Sequence, residues 1–228
     1  MTRVLITGAS RGIGRATALA CAARGAELGL LGRPTGEQRE TAELCMRAGA
    51  RGVLSLSADV GRADEVERAA AEFLDSFGPP DALIHNAGIA ARTSIENTSL
   101  TSWDEHLRVN LSAPFVLTRA LLPAMRARGS GHIVFVGSIS STLGTANLSA
   151  YCATKWGVLG FMKSLAEELT DSGLMTCAIL PGSVDTQMLV GSGFPARMSP
   201  EDVAKTLLHY AFDAPLAHNG ASIEMFGV

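Results

Sequence analysis

The sequence predicts an α/β fold: a doubly wound parallel sheet of about seven strands with helices on both faces. Three observations carry this expectation. Short apolar runs alternate with amphipathic helical stretches along all 228 residues, the alternation that builds parallel sheets from strand–helix–strand units. Most runs are continuously apolar, as strands covered on both faces are. A glycine-rich turn also stands between the first run and the first helical stretch.

The elements follow in order. "RVLIT" (3–7) reads as the first strand and 12–24 as a helix stopped by Gly25. "ELGLLG" (27–32) is the second strand, followed by a helix over 36–49 that ends at glycine. "GVLSLS" (52–57) precedes a helix over 62–77, and "DALIH" (81–85) precedes one long helix over 101–127. "HIVFVG" (132–137) leads to a helix over 149–172, closed by Gly173. "MTCAIL" (175–180), a helix over 200–213 begun by Ser199-Pro200, and "ASIEMF" (221–226) complete the chain. Glycine suits helix ends, and proline suits first helical turns. Right-handed crossovers then give the strand order 3-2-1-4-5-6-7, with a cleft at the carboxyl ends of the strands. No repeat or linker interrupts the pattern, so residues 1–228 are expected to form one domain.

Composition excludes several function classes. Net charge of −3 and a pI near 6.0 do not suit a nucleic-acid surface, which is usually basic. No apolar run reaches the roughly 18 residues of a membrane span, and Met1 leads directly into a strand pattern. A membrane protein and a secreted one are both unexpected, and a cytoplasmic location follows. Cys21, Cys45, Cys152 and Cys177 lack metal-ligand spacing and sit in apolar-periodic segments. They read as core thiols of a reducing compartment, with no metal site.

The first strand, turn and helix look like a dinucleotide site. Gly8, Gly12 and Gly14 are spaced G-x-x-x-G-x-G, a looser variant of the usual fingerprint. Gly8, Ser10, Arg11, Gly12, Ile13 and Gly14 are thus candidate pyrophosphate contacts, because glycine lets amides approach a phosphate at a helix start. The second strand ends in Gly32-Arg33 with no carboxylate until Glu37, and Arg11 can reach the same place. Two guanidiniums suit a 2′-phosphate, so NADP(H) is expected in preference to NAD(H). Asp59-Val60 follows the third strand; Asp59 would take the adenine amino group or cap the next helix. Asn86, Ala87 and Gly88 follow the fourth strand, where Gly88 permits close approach of the cofactor.

Tyr151 and Lys155 stand one helical turn apart in "SAYCATKWG". A free phenol is a poor acid or base near neutrality. A neighbouring ammonium would lower its pKa toward the working range. Ser138, at the end of the fifth strand, would hold a substrate oxygen while a hydride passes between carbon and cofactor.

These motifs, with Asn110 in "RVNLSAPF" and "PGSVDT" at 181–186, occur in the order seen in short-chain dehydrogenase/reductases, and the chain resembles that family over nearly its whole length. The resemblance implies a Rossmann-type fold and an Asn110–Ser138–Tyr151–Lys155 catalytic tetrad, with the Asn holding a water that relays protons to the lysine. It implies nicotinamide contacts from Pro181, Gly182, Val184 and Thr186, ribose contacts from Lys155 and Tyr151, and a homodimer or homotetramer built through the two long helices. The sequence looks most like 3-oxoacyl-acyl-carrier-protein reductases. The expected activity is NADPH-dependent reduction of a small-molecule ketone or aldehyde, a 3-oxoacyl thioester among the candidates. The alternatives are oxidation of an alcohol with NAD(P)+ and a non-catalytic dinucleotide-binding regulator.

Two departures bear on the substrate. Basic residues that dock the carrier protein in those reductases are replaced by His132 and Ser172, which puts that docking in doubt. Arg126 and Arg128 would either substitute or form a solvated helix end. The segment 187–198 is short for a lid, with apolar Met188, Leu189, Val190 and Phe194 around Gly191 and Gly193. It would hinge over an apolar substrate or stay a surface loop.

Overall fold

The computed structural model describes residues 2–227. Seven parallel strands form one sheet: β1 (Arg3–Thr7), β2 (Glu27–Gly32), β3 (Gly52–Ser57), β4 (Ala82–His85), β5 (Gly131–Val136), β6 (Leu174–Pro181) and β7 (Ala221–Met225). Their order is β3-β2-β1-β4-β5-β6-β7, as expected. Val4 pairs with Leu28 on one side and with Ala82 on the other, and Val134 pairs with Ile84 and Cys177. The order reverses between β1 and β4, and a crevice opens there at the carboxyl ends of the strands.

Helices α1 (Gly12–Ala23), α2 (Gly36–Arg47), α3 (Ala63–Phe77), α4 (Leu100–His106), α5 (Ala113–Arg128), α6 (Ser149–Glu168) and α7 (Pro200–Leu208) cover the two faces. Successive strand residues feed opposite layers. Val4, Ile6 and Val134 pack with Ala18, Cys21 and Leu207 on one face. Leu5, Leu83 and Phe135 pack with Phe73, Leu121 and Met162 on the other. Each fully buried Val, Leu, Ile, Phe or Met among them contributes about 1.5–3 kcal/mol. Cys21, Cys45 and Cys177 are buried free thiols, and burial pushes them up to about 12, 11 and 12. Among the described residues no helix is long and apolar enough to cross a membrane.

Three helices differ from expectation. The stretch 101–127 is not one α-helix: a six-residue π turn, Leu107–Ser112, separates α4 from α5. Asn110 sits within it, and its amide is bonded to the Ile89 backbone and to Thr154. The helix from 149 stops at Glu168, four residues early, and a hydrogen-bonded turn leads into β6. The last helix gives way after Leu208 to a second π turn, His209–Asp213. Ser199 and Asp202 cap the start of α7 reciprocally, as Ser199-Pro200 suggested.

Candidate active site

The crevice is built by the end of β1 meeting the end of β4. Thr7 Oγ1 accepts from the amides of Asn86 and Ala87, both at 3.0 Å. The Asn86 amide in return donates to the carbonyls of Thr7 (3.0 Å) and Gly8 (2.9 Å). Gly8 has φ +68, and a Cβ there would lie 2.8 Å from Ala87 Cα. At Gly14 an added methyl would overlap the Gly8 carbonyl oxygen and stand 2.5 Å from Asn86 Nδ2. The glycines therefore let the turn close against β4 as well as turn sharply. Arg15 and Thr41 brace the turn from behind, donating to the Ser10 carbonyl at 2.9 and 3.3 Å.

These residues fit a dinucleotide. Arg11 precedes α1 in extended conformation without a side-chain cap on the helix, and the first turn of α1 carries no acid. Its first amides thus form a donor set suited to a phosphate, with the helix dipole behind them. A Cβ at Gly12 would come within 3.1 Å of the Thr186 methyl, so the 181–186 segment meets the glycine turn across the crevice. That segment is fixed by Gly182 N donating to Met225 O at 2.7 Å and by a bridge between Val184 and Met198. At the other end, Val60 lines an apolar recess with Leu31, Ala87 and Val109. Asp59 is neither a helix cap nor uncommitted: Oδ1 accepts from Gly61 N at 2.9 Å, and the N-cap position of α3 is held by Arg62, without a side-chain cap bond. Arg33 follows β2 and is exposed; Arg11 is exposed too, with a loose 4.0 Å contact to Glu37.

Tyr151, Lys155 and Asn110 come together under the carboxyl ends of β4 and β5, all at least nine-tenths buried. Lys155 Nζ donates to the Val136 carbonyl at 2.8 Å and lies 5.7 Å from the Tyr151 ring centroid. A Cβ at Gly88 would sit 3.3 Å from Asn110 Oδ1 and 3.7 Å from Lys155 Nζ, which places Gly88 between them. Asn110 Oδ1 accepts from Ile89 N at 2.8 Å, while Nδ2 donates to Ile89 O (2.9 Å) and Thr154 Oγ1 (3.1 Å). Ser138 leaves β5 in extended conformation, and its hydroxyl accepts from Ser140 N at 3.1 Å.

The electrostatics differ from the sequence expectation in one respect. Burial pushes the Tyr151 phenol above its ordinary range; the Ser138 hydroxyl and the positive charge of Arg92 oppose the rise. Lys155 is itself pulled down to about 8, because burial disfavours its ammonium. Arg92 is a nearby cation that sequence reasoning missed.

Arg128 corrects another expectation, whereas Arg126 stays a solvated helix end. Arg128 pairs with Asp81 at 3.0 Å and donates to the carbonyls of Pro79 and Pro80, so it clamps the end of α5 to the start of β4. Arg126 donates to Glu168 O at 2.9 Å. His132 Nδ1 is 2.8 Å from Tyr210 O, and Ser172 Oγ donates to Leu169 O at 2.5 Å. In 187–198, Gln187–Leu189 form a short 3-10 turn, Gly191 and Gly193 have φ of +73 and +77, and Val190 is 78% exposed.

This crevice and the cluster beside it are those of a dinucleotide-dependent oxidoreductase fold. The family model for short chain dehydrogenase matches residues 2–193, and the chain belongs to that family. It is 33% identical to 3-oxoacyl-[acyl-carrier-protein] reductase of Synechocystis sp., covering 94% of this chain and 90% of that one. Among solved structures, levodione reductase superposes with a TM-score of 0.92 at 27% identity, covering 99% of this chain and 96% of the other. A 3-ketoacyl-ACP reductase from Sinorhizobium meliloti gives 0.89 at 31% identity, with 99% and 97% coverage. The protein is a short-chain dehydrogenase/reductase of the 3-oxoacyl reductase type.

Proposed function

We propose that the protein reduces a ketone or aldehyde carbonyl with NADPH, and that residues 1–228 act as one dinucleotide-binding domain. The observation that carries this reading is the burial of Tyr151 beside Lys155, with Ser138 at the strand end in front of them. The glycine turn 8–14 would hold the pyrophosphate, Arg11 and Arg33 the 2′-phosphate, and Asp59 and Val60 the adenine. Asn86, Ala87, Gly88, Pro181, Gly182, Val184 and Thr186 would line the nicotinamide half. Bound there, the reduced nicotinamide supplies the hydride equivalent.

The chain's own residues do the rest. The Ser138 hydroxyl donates to the carbonyl oxygen and fixes its position. The Tyr151 phenol, kept protonated by burial, gives its proton to that oxygen as the carbonyl carbon is reduced. Lys155, with a pKa near 8, is poised to return a proton near neutral pH. Asn110 is a positioning residue: both ends of its amide are engaged, so it pins the 86–89 loop to α6. A water relay at this point would use backbone of the π turn rather than the amide.

Tyr151→Phe tests the reading directly. We expect NADPH-dependent turnover of carbonyl substrates to fall by at least ~10²–10⁴-fold, the usual worth of a positioned acid, with NADPH affinity unchanged within about twofold. Turnover at the parental rate would overturn the assignment.

A further inference from the structure

A cleft of about 610 Å³ opens beside the cluster, walled by the loop after β4, the loop before α6 and the 187–198 segment. This volume lies within the roughly 300–1,000 Å³ of small-molecule sites. Its lining is polar: Thr93, Thr145, Asn147 and Ser192 face it, with Phe194 the single aromatic and Arg92 the single charged residue. Of Met188, Leu189, Val190 and Phe194, only Phe194 lines it. The cleft wall runs into the reacting groups, because Thr145 Oγ1 is 3.5 Å from Ser140 Oγ and Ser140 N donates to Ser138 Oγ.

Arg92 is available there. Among the described residues it forms no ion pair, and its one hydrogen bond is a long 3.4 Å contact from Nη1 to Met188 O. A guanidinium has five donors in a planar fork, so most remain uncommitted. That fork matches a carboxylate or a phosphate. The loop carrying it is held to the opposite wall by Thr93 N donating to Asn147 O at 2.9 Å. Its charge also acts on the Tyr151 phenol, favouring the ionised form.

We propose that Arg92 determines substrate class: it binds an anionic oxygen group, carboxylate or phosphate, carried by the carbonyl compound that Tyr151 reduces. The proposal rests on the carbonyl-reductase reading above.

The test compares parent, Arg92→Gln and Arg92→Lys with NADPH. Probes are acetoacetate, 4-oxopentanoate and 5-oxohexanoate with their methyl esters, and dihydroxyacetone with its phosphate. The parent should prefer at least one anionic probe to its neutral counterpart. Arg92→Gln should lower kcat/KM for that probe ~10–100-fold, the range of a charge-assisted contact, mostly through KM. The neutral probes should lose clearly less than the anionic one, and Arg92→Lys should restore part of the loss. Whether the oxo acids or the phosphate respond identifies the anion. A parent without anion preference overturns the proposal, as does a glutamine variant that loses neutral and anionic probes equally. If the parent reduces none of these compounds while retaining NADPH, the reductase reading fails separately. Calorimetric titration of 4-oxopentanoate and glycerol phosphate into the NADP+-loaded proteins then decides: equal affinities in parent and Arg92→Gln overturn the role of Arg92, and a tenfold loss supports it.

Discussion

Lys155 donates its buried ammonium to the Val136 carbonyl at 2.8 Å, tying α6 to the end of β5. The bond holds the lysine under Tyr151, yet burial lowers its pKa from 10.5 to about 8. Between those values the unfolded chain binds the extra proton, so stability rises with pH across this window. At pH 7 the folded state carries the full penalty, ~3 kcal/mol for a shift of this size, offset by ~1 kcal/mol for the hydrogen bond. Lys155→Met should therefore stabilise the protein by ~1–2 kcal/mol at pH 7 and lose that advantage by pH 10.5. Calorimetric melting at both pH values checks this; a variant less stable than the parent at pH 7 would contradict it.

His85 should govern acid sensitivity. It is buried, stacks on Phe135 at 4.7 Å and meets Thr118 Oγ1 at 2.9 Å. Burial lowers its pKa from 6.5 to about 3. The stability linked to this shift is complete above pH 6.5 and is lost as pH falls toward 3. His85→Gln keeps a polar partner for Thr118 and removes the titration. Between pH 7 and 5 the parent should lose ~2 kcal/mol more than the variant in urea unfolding. Parallel losses would refute the assignment.

Gly14 has no room for a side chain. Gly14→Ala must displace the Gly8 carbonyl or the Asn86 amide. It should cost ~1–3 kcal/mol of stability, the usual range for overpacking, and weaken NADPH binding more than ~10-fold by distorting the turn. Urea titration and NADPH fluorescence measure the two effects independently.

Arg33 at the end of β2, with Arg11 in the glycine turn, should set cofactor choice. Arg33→Asp should weaken NADPH binding by ~10–100-fold, removing a cation and adding a repelling charge. NADH binding should be unchanged or tighter. Fluorescence titration with both nucleotides gives the ratio, and a variant that still favours NADPH as strongly as the parent sinks the assignment.

The strands were legible because parallel strands buried on both faces must be apolar throughout, and "ALIH" or "RVLIT" carries that mark unaided. The tight glycine turn was legible for a similar reason: Gly8, Gly12 and Gly14 answer to local geometry. What escaped depends on distant partners. "LRVNLS" has ordinary helical periodicity, and the bonds from Asn110 to Ile89 and Thr154 that accompany its π turn cross the fold. Arg128 reads as a solvated helix end until Asp81 is placed beside it. Arg92 lies in a loop without pattern, and only packing against the 187–198 segment brings it to the cleft.

The π turn at 107–112 also works as a phase shifter. An α-helix advances about 100° per residue, and the wider π turn takes up a surplus residue locally, so that α5 keeps the phase its packing needs. Excising Val109 would let α4 and α5 fuse into a regular helix, and the bulge would heal. The asparagine would then swing off the 86–89 loop while the rest of the fold kept its packing. The inventory of side chains would be nearly complete, and the cluster would still be out of register. At this point of the chain, function depends on a count of residues as much as on their identity.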